Sequence, residues 1–146
     1  ALAVVAAGTL LLEGACRLWL VQEGRPVSFV HDVLLGGGPD PAFRAWPFFA
    51  LTLLVSGLVG PVAEEVVCRG LVYAPLRRHR GILPALLVSA ALFTAIHRTF
   101  DPVGVLIVAT GGVLFAAAYE LGRGLAAPVL FHALYNTILV VLRRPE

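Results

Sequence analysis

Four long apolar runs, separated by short segments that carry arginine, make up most of the chain from residue 46 onward. A helix that crosses the hydrocarbon core of a bilayer needs about 20 predominantly apolar residues. The sequence therefore predicts an all-α, polytopic bundle of about four complete transmembrane helices. The runs lie at residues 46–63 with a continuation at 71–76, and at 81–97, 102–119 and 125–142.

The composition supports a membrane location. Hydrophobic residues make up 59% of the chain and charged residues 14%, whereas soluble domains are usually about 45–50% apolar and about 25% charged. The net charge is only +2, and the scattered arginines do not form the basic stripe of a nucleic-acid-binding domain. We therefore expect an integral membrane protein that contacts the lipid bilayer and no nucleic acid. The lysine-free, arginine-rich composition favours a GC-rich bacterial genome, and hence a bacterial plasma membrane.

The first 45 residues are expected to add less to the bundle. Residues 1–12 are apolar, and a partial helix is expected to continue to about Val21. Residues 22–45 are more polar, and their Gly/Pro-rich run at 36–41 indicates an aqueous loop. The chain starts inside an apolar run without a methionine or a basic n-region, which argues against a signal peptide. We expect one membrane-embedded domain over residues 1–146, truncated at its N-terminus.

Three ionisable residues interrupt the first spanning run: Glu64, Glu65 and Arg69. Charged groups at membrane depth are expensive, so they are read first as functional. Glu65 and Arg69 are four positions apart on one helix face and can form an ion pair. Glu64 is rotated by about 100° from Glu65, which leaves it free to face other neighbours. Gly60 and Pro61, just before the glutamates, should either kink this helix or restart it; the sequence does not choose between the two.

Two histidines and an asparagine on later helices could surround Glu64. His132 and Asn136 are four apart and share a helix face, and His97 ends another apolar run. Counted from the side that carries Arg77, Glu64 lies about 18 Å deep, Asn136 about 16 Å, His132 about 10 Å and His97 about 24 Å. The depths permit the groups to converge, with His97 as the outlier. A glutamate beside imidazoles can act as a general base toward water, and a His/Asn pair can stabilise an oxyanion.

Three motifs in this order resemble the CPBP family, the CAAX-protease and bacteriocin-processing (Abi) membrane proteins. They are Glu64-Glu65-x-x-x-Arg69, Phe93-x-x-x-His97 and His132-x-x-x-Asn136. The resemblance, which covers roughly residues 47–142, implies an intramembrane endopeptidase of the glutamate type. It implies that Glu64 and His97 activate water, that His132 and Asn136 form the oxyanion site, and that Glu65 and Arg69 support them. Family members often carry an aromatic residue at the position of Cys68, and we expect this difference to alter packing only.

The leading hypothesis is hydrolysis of a peptide bond near the membrane surface, in a peptide or protein substrate that can itself be membrane-associated. Three alternatives remain. One is a non-proteolytic bacteriocin-immunity protein, and another is a proton-coupled transporter, although no inverted repeat is evident. The third is a zinc metalloprotease with Glu64, His97 and His132 as ligands, although the chain has no HExxH motif. No cofactor, metal or disulfide is predicted, because Cys16 and Cys68 lack the spacing of such sites. Arginines flank the runs on both sides, so membrane orientation stays open.

Overall fold

The computed structural model describes residues 46–98 and 101–142. Within these residues every regular element is helical and no strand occurs, so the predicted all-α bundle is confirmed. The expected N-terminal partial helix, the polar loop and Cys16 lie outside the described residues. Four helices follow one another: α1 over residues 46–80, α2 over Ile82–Ile96, α3 over Pro102–Gly122 and α4 over Ala126–Leu142. α1 and α3 are long and apolar enough to cross a membrane, and α2 and α4 are shorter apolar helices.

Helix α1 is continuous but changes its winding twice. It comprises α-helical Trp46–Leu54, π-helical Val55–Val59, α-helical Gly60–Glu65, π-helical Val66–Tyr73 and α-helical Ala74–Arg80. Pro61 and Pro75 each follow a π-helical segment by one turn or less. A proline ring collides with the carbonyl four residues back in an α-helix, and the wider π turn relieves that collision. The helix therefore neither stops nor restarts at Gly60 and Pro61; the strain is taken up by the π segment before them.

Tight connections hold the four helices as neighbours. Gly81, with φ at 87°, links α1 directly to α2, in a backbone region that side chains disfavour. Asp101 caps α3, its carboxylate accepting hydrogen bonds of 3.0 Å from the backbone N–H groups of Val103 and Gly104. Such a cap contributes about 1 kcal/mol. The short turn at Gly81 makes α1 and α2 an antiparallel hairpin, which sets the depth at which their polar residues meet.

Small residues bring the helices close together. A Cβ added at Gly112 on α3 would lie 3.1 Å from the Cα of Ala90 on α2, and one added at Gly57 on α1 would lie 2.7 Å from Thr137 Oγ1 on α4. Close backbone approach at small residues is how membrane helices associate. Many large apolar side chains point outward instead, among them Leu71, Leu83 and Leu130, which are 69%, 67% and 70% exposed. The outside of the bundle is thus suited to lipid, while charged groups lie inside.

Candidate active site

The two adjacent glutamates of α1 point into different surroundings. The side chain of Glu65 is completely buried, whereas that of Glu64 is 29% exposed. The roughly 100° between successive helical residues produces this separation. The two carboxylates thus differ in exposure as their helical positions predict, although His132 lies close to both of them.

Glu65 and Arg69 form the ion pair expected from their spacing. Arg69 Nη1 donates to Glu65 Oε1 over 3.0 Å, and Arg69 Nη2 donates to the carbonyl oxygen of Gly112 on α3 over 2.5 Å. The guanidinium carbon also lies 4.9 Å from the ring centroid of Phe93 and 5.5 Å from that of Phe115. Attraction between a cation and aromatic faces strengthens when the site is desolvated. Arg69 thus joins α1 to α2 and α3 around a charge that is balanced locally.

His132 joins this network from α4. Its Nδ1 lies 3.0 Å from Glu65 Oε1, and its ring stacks on Phe115 with centroids 4.2 Å apart and planes inclined by 18°. Since Glu65 is paired with Arg69, its carboxylate accepts the hydrogen bond and His132 Nδ1 donates it. The sequence did not indicate this contact, because the two residues are 67 positions apart and no spacing rule links separate helices.

His97, at the C-terminal end of α2, is oriented by its own helix. Its Nδ1 lies 2.8 Å from the backbone carbonyl oxygen of Phe93. A carbonyl oxygen only accepts, so Nδ1 carries the hydrogen and Nε2 of the neutral ring presents its lone pair. That Nε2 lies 3.8 Å from Glu64 Oε2. The backbone therefore selects the tautomer of His97 that aims an acceptor toward Glu64.

Glu64 is the point where the three helices converge. Its Oε2 lies 3.8 Å from the Nε2 atoms of both His97 and His132. This carboxylate oxygen is buried and has no hydrogen-bond partner within residues 46–98 and 101–142. Buried polar atoms are paired in the great majority of cases, so an unpaired one calls for an explanation.

The depth of His97 has a simple geometric explanation. Glu64 precedes Gly81 by 17 residues and His97 follows it by 16, so the two lie at equal depth in the α1/α2 hairpin. His97 looked like an outlier because the depth of Glu64 was counted from Arg77, whereas the chain reverses at Gly81. The turn residue was visible in the sequence and supplied the correct reference point.

Asn136 lies one turn beyond His132 and bonds to the first π segment. Its Nδ2 donates to the carbonyl oxygen of Ser56 over 3.0 Å. With π winding that carbonyl would accept from residue 61, which is a proline without an N–H group. Asn136 supplies the missing donor. The structure thus groups Glu64, His97 and His132 directly and places Asn136 at the adjoining turn of α1.

Ser89, which the sequence did not single out, forms a hydrogen bond to the other π segment. Ser89 Oγ on α2 donates to the carbonyl oxygen of Cys68 over 3.0 Å. Cys68 itself is fully buried and packs with Phe93 and Phe115. The α-helical segment Gly60–Glu65, which carries both glutamates, therefore lies between two π segments that are each hydrogen-bonded to a neighbouring helix.

Among the residues described, no group of three or more His, Cys, Asp or Glu side chains has an arrangement suited to a metal ion. The separations of 3.8 Å between Glu64 and each histidine still allow both rings to approach one small molecule from two sides.

Comparison with known proteins points to one family. The family model described as "Type II CAAX prenyl endopeptidase Rce1-like" matches residues 46–138, which include all the site residues above. The chain is 28% identical over 93 residues to "Putative membrane peptidase YdiL" of Bacillus subtilis, covering 64% of this chain and 37% of that protein. It is 31% identical over 97 residues to "Membrane-embedded CAAX protease MroQ" of Staphylococcus aureus, covering 61% of this chain and 38% of that protein. The chain thus spans little more than a third of the length of these relatives. No solved structure matches it significantly.

Proposed function

The chain belongs to the Rce1-like family of type II CAAX prenyl endopeptidases, and on that basis we propose that it hydrolyses peptide bonds within the membrane with Glu64 as general base. The resemblance to CAAX proteases read from the three motifs is confirmed. One observation carries the proposed mechanism: Glu64 Oε2 faces the Nε2 atoms of His97 and His132, each at 3.8 Å. Neither histidine is near Glu64 in sequence, so the fold itself creates this arrangement.

Water activation is assigned to Glu64 and His97. Two acceptor atoms 3.8 Å apart can both bind one water oxygen at about 2.8 Å, because the angle between them at that oxygen is then about 85°, which lets each water hydrogen point toward one acceptor. Glu64 takes the proton as the water oxygen attacks the scissile carbonyl carbon, and it returns that proton to the leaving amine. His97 holds the second hydrogen of the water through Nε2, since its Nδ1 hydrogen is engaged by the Phe93 carbonyl.

Oxyanion stabilisation is assigned to His132 and Asn136. His132 donates from Nδ1 to Glu65, so a proton on Nε2 makes the ring an imidazolium whose charge faces that carboxylate. Its Nε2–H then donates to the carbonyl oxygen of the substrate as negative charge develops there. Asn136 uses one amide hydrogen for Ser56 and has a second available for the same oxygen. Glu65 and Arg69 act indirectly by fixing the ring of His132.

The position of the site fits a substrate cleaved close to the membrane surface. His97 follows the last residue of α2, and a helix of 15 residues is about 22 Å long, which is shorter than the roughly 30 Å hydrocarbon core. The catalytic group therefore lies near the surface opposite Gly81. We assign the chain a membrane-associated peptide or protein substrate. Both relatives above come from bacteria, which supports a bacterial plasma membrane.

The test compares two neighbouring substitutions that make the same chemical change. Glu64→Gln should lower the rate of peptide cleavage by about 10²–10⁴-fold with a smaller change in thermal unfolding temperature than Glu65→Gln, because its buried Oε2 has no hydrogen bond to lose within the described residues. Glu65→Gln should lower the unfolding temperature, because it weakens contacts with Arg69 and His132. The measurement uses the full-length protein in detergent with a fluorogenic peptide.

Two outcomes would contradict the mechanism. If Glu64→Gln cleaves at the wild-type rate, the general base lies elsewhere. If a chelator abolishes cleavage and zinc restores it, the histidines serve a metal rather than a water held by Glu64.

A further inference from the structure

A polar cavity lies at the end of the bundle where α1 turns into α2. It has a volume of about 400 Å³ and is lined by Ala74, Arg77, Arg78, Tyr119, Glu120 and Arg123. Arg77 follows Glu64 by 13 residues on α1, which places the cavity about 20 Å from the candidate active site. The two sites are therefore separate, and the peptidase mechanism does not use this one.

The residues that line the cavity carry a net positive charge even after the ion pair between Arg77 and Glu120 is counted. Glu120 Oε1 accepts from the hydroxyl of Tyr73 over 2.7 Å and from Arg77 Nε, and Oε2 accepts from Arg77 Nη2 over 2.7 Å. Glu120 and Arg77 thus neutralise each other. Within the described part of the chain neither Arg78 nor Arg123 has an ion pair, so three arginines against one glutamate leave a net charge of +2. Two guanidinium groups of the lining therefore have no carboxylate partner in the described residues.

We propose that this cavity binds the phosphate of an anionic membrane lipid. A guanidinium group matches phosphate oxygens with parallel, charge-assisted hydrogen bonds. Arg78 comes from α1 and Arg123 from the turn after α3, so a phosphate bound to both bridges these two helices. At this end of the described structure, Arg77 and Glu120 form the only ion pair between α1 and α3. Basic pockets between the ends of transmembrane helices suit lipid headgroups for this reason.

The surface beside the cavity favours a lipid over a free phosphate ion. Leu71 lies about two turns before Arg78 on α1, and its side chain is 69% exposed. Leu71 lies about 10 Å deeper along the axis than Arg78. Helix α1 thus offers a cation at headgroup level and an exposed apolar side chain beneath it for an acyl chain. Tyr119, which packs edge-on against Tyr73 with ring centroids 5.4 Å apart, is an aromatic residue of the type found at membrane interfaces.

A peptide carboxylate fits the cavity less well. A substrate cleaved beside Glu64 would need about six extended residues to reach Arg78, because an extended chain advances about 3.3 Å per residue. The C-terminal carboxylate of a shorter cleavage product does not reach. Charge and reach together point to lipid as the occupant.

The experiment is a native mass spectrometry titration of the full-length protein in detergent. Separate samples receive phosphatidylglycerol, phosphatidylcholine and inorganic phosphate. Wild-type protein should bind one phosphatidylglycerol more tightly than phosphatidylcholine, and inorganic phosphate should not displace it at equal concentration. Arg78→Gln and Arg123→Gln should each weaken phosphatidylglycerol binding about tenfold, as expected for loss of a charge-assisted hydrogen bond.

Arg80→Gln is the matched control. Arg80 lies at the same end of α1 and carries the same charge but does not line the cavity. If only contacts within the cavity matter, Arg80→Gln should change the binding constant for phosphatidylglycerol less than about twofold. Equal losses in all three variants would overturn the proposal in favour of general attraction to anionic lipid. Equal binding of phosphatidylcholine, or displacement by inorganic phosphate, would also overturn it. Displacement by a peptide with a free carboxylate, but not by its amide, would show a peptide site instead. Binding is read without cleavage, so the result is independent of the proposed peptidase activity.

Discussion

Two glutamate–arginine pairs stabilise the bundle in opposite settings. Glu65 and Arg69 lie one turn apart on α1, and both side chains are fully buried. Glu120 on α3 and Arg77 on α1 meet at the helix ends, where their side chains are 24% and 42% exposed. Both pairs bring an aromatic or imidazole ring into contact with the glutamate, Tyr73 at the helix ends and His132 in the interior.

The pairs differ in how completely their polar atoms are satisfied. Both oxygens of Glu120 accept hydrogen bonds. In the interior, Glu65 Oε2, Arg69 Nε and Glu64 Oε2 are buried without a hydrogen-bond partner in the described residues. Three such atoms in one place are unusual, because more than 90% of buried polar groups are normally paired. The helix-end network needs nothing more for its structural role, whereas the interior cluster retains polar capacity that a water and a substrate can use.

Removal of the interior arginine should have the largest effect on stability. Arg69→Met leaves Glu65 as a buried charge without its guanidinium partner and removes the bond to the Gly112 carbonyl, so the free energy of unfolding should fall by about 3–5 kcal/mol. Equilibrium unfolding of the detergent-solubilised protein measures this.

A double variant shows whether charge is the cause. Glu65→Gln combined with Arg69→Met removes both charges and should recover part of the loss, because an uncharged amide is cheaper to bury than a lone carboxylate. If the double variant is no more stable than Arg69→Met alone, the loss in Arg69→Met does not come from a buried carboxylate without its cation, and the contrast between the two pairs does not depend on charge.

The interior region was largely predictable from sequence because helical spacing governs it. The four-residue separation of Glu65 and Arg69 predicts their pair, and apolar runs of membrane length predict α1 to α4. Contacts between helices were harder, because they depend on register. The register of α1 and α2 follows from Gly81, and Arg77 was the wrong reference for the depth of Glu64.

Two features could not be read from local spacing. The bond between His132 and Glu65 depends on how α4 packs against α1, and apolar periodicity leaves that register undetermined. The continuous winding of α1 past Pro61 excludes a restart there, and the π segments before Pro61 and Pro75 could not be read from a rule for a single proline in an α-helix. The role of Asn136 as a donor to Ser56 follows only once the π winding is known.

The two side chains that bond to the π segments allow a matched comparison of intermediate size. Asn136→Ala and Ser89→Ala each remove one hydrogen bond to a carbonyl of α1, so each should lower the free energy of unfolding by roughly 1 kcal/mol. Only Asn136→Ala should also lower the cleavage rate, by about 10²-fold, through loss of an oxyanion donor. Rate and unfolding measured on the same samples separate the two effects. Equal loss of rate in both variants would mean that Asn136 only positions α1 and does not contact the oxyanion.

The smallest change in stability is expected at the exposed pair. Glu120→Gln keeps an acceptor for Tyr73 and removes a partly solvated ion pair with Arg77, and solvent screens such pairs strongly. The free energy of unfolding should therefore change less than in Ser89→Ala. The same substitution raises the net charge of the cavity lining by one, so phosphatidylglycerol should bind more tightly, which a native mass spectrometry titration measures directly. A loss of stability as large as that of Arg69→Met would show that the helix-end pair is as integral to the fold as the buried one, and the contrast drawn from hydrogen-bond satisfaction would then be wrong.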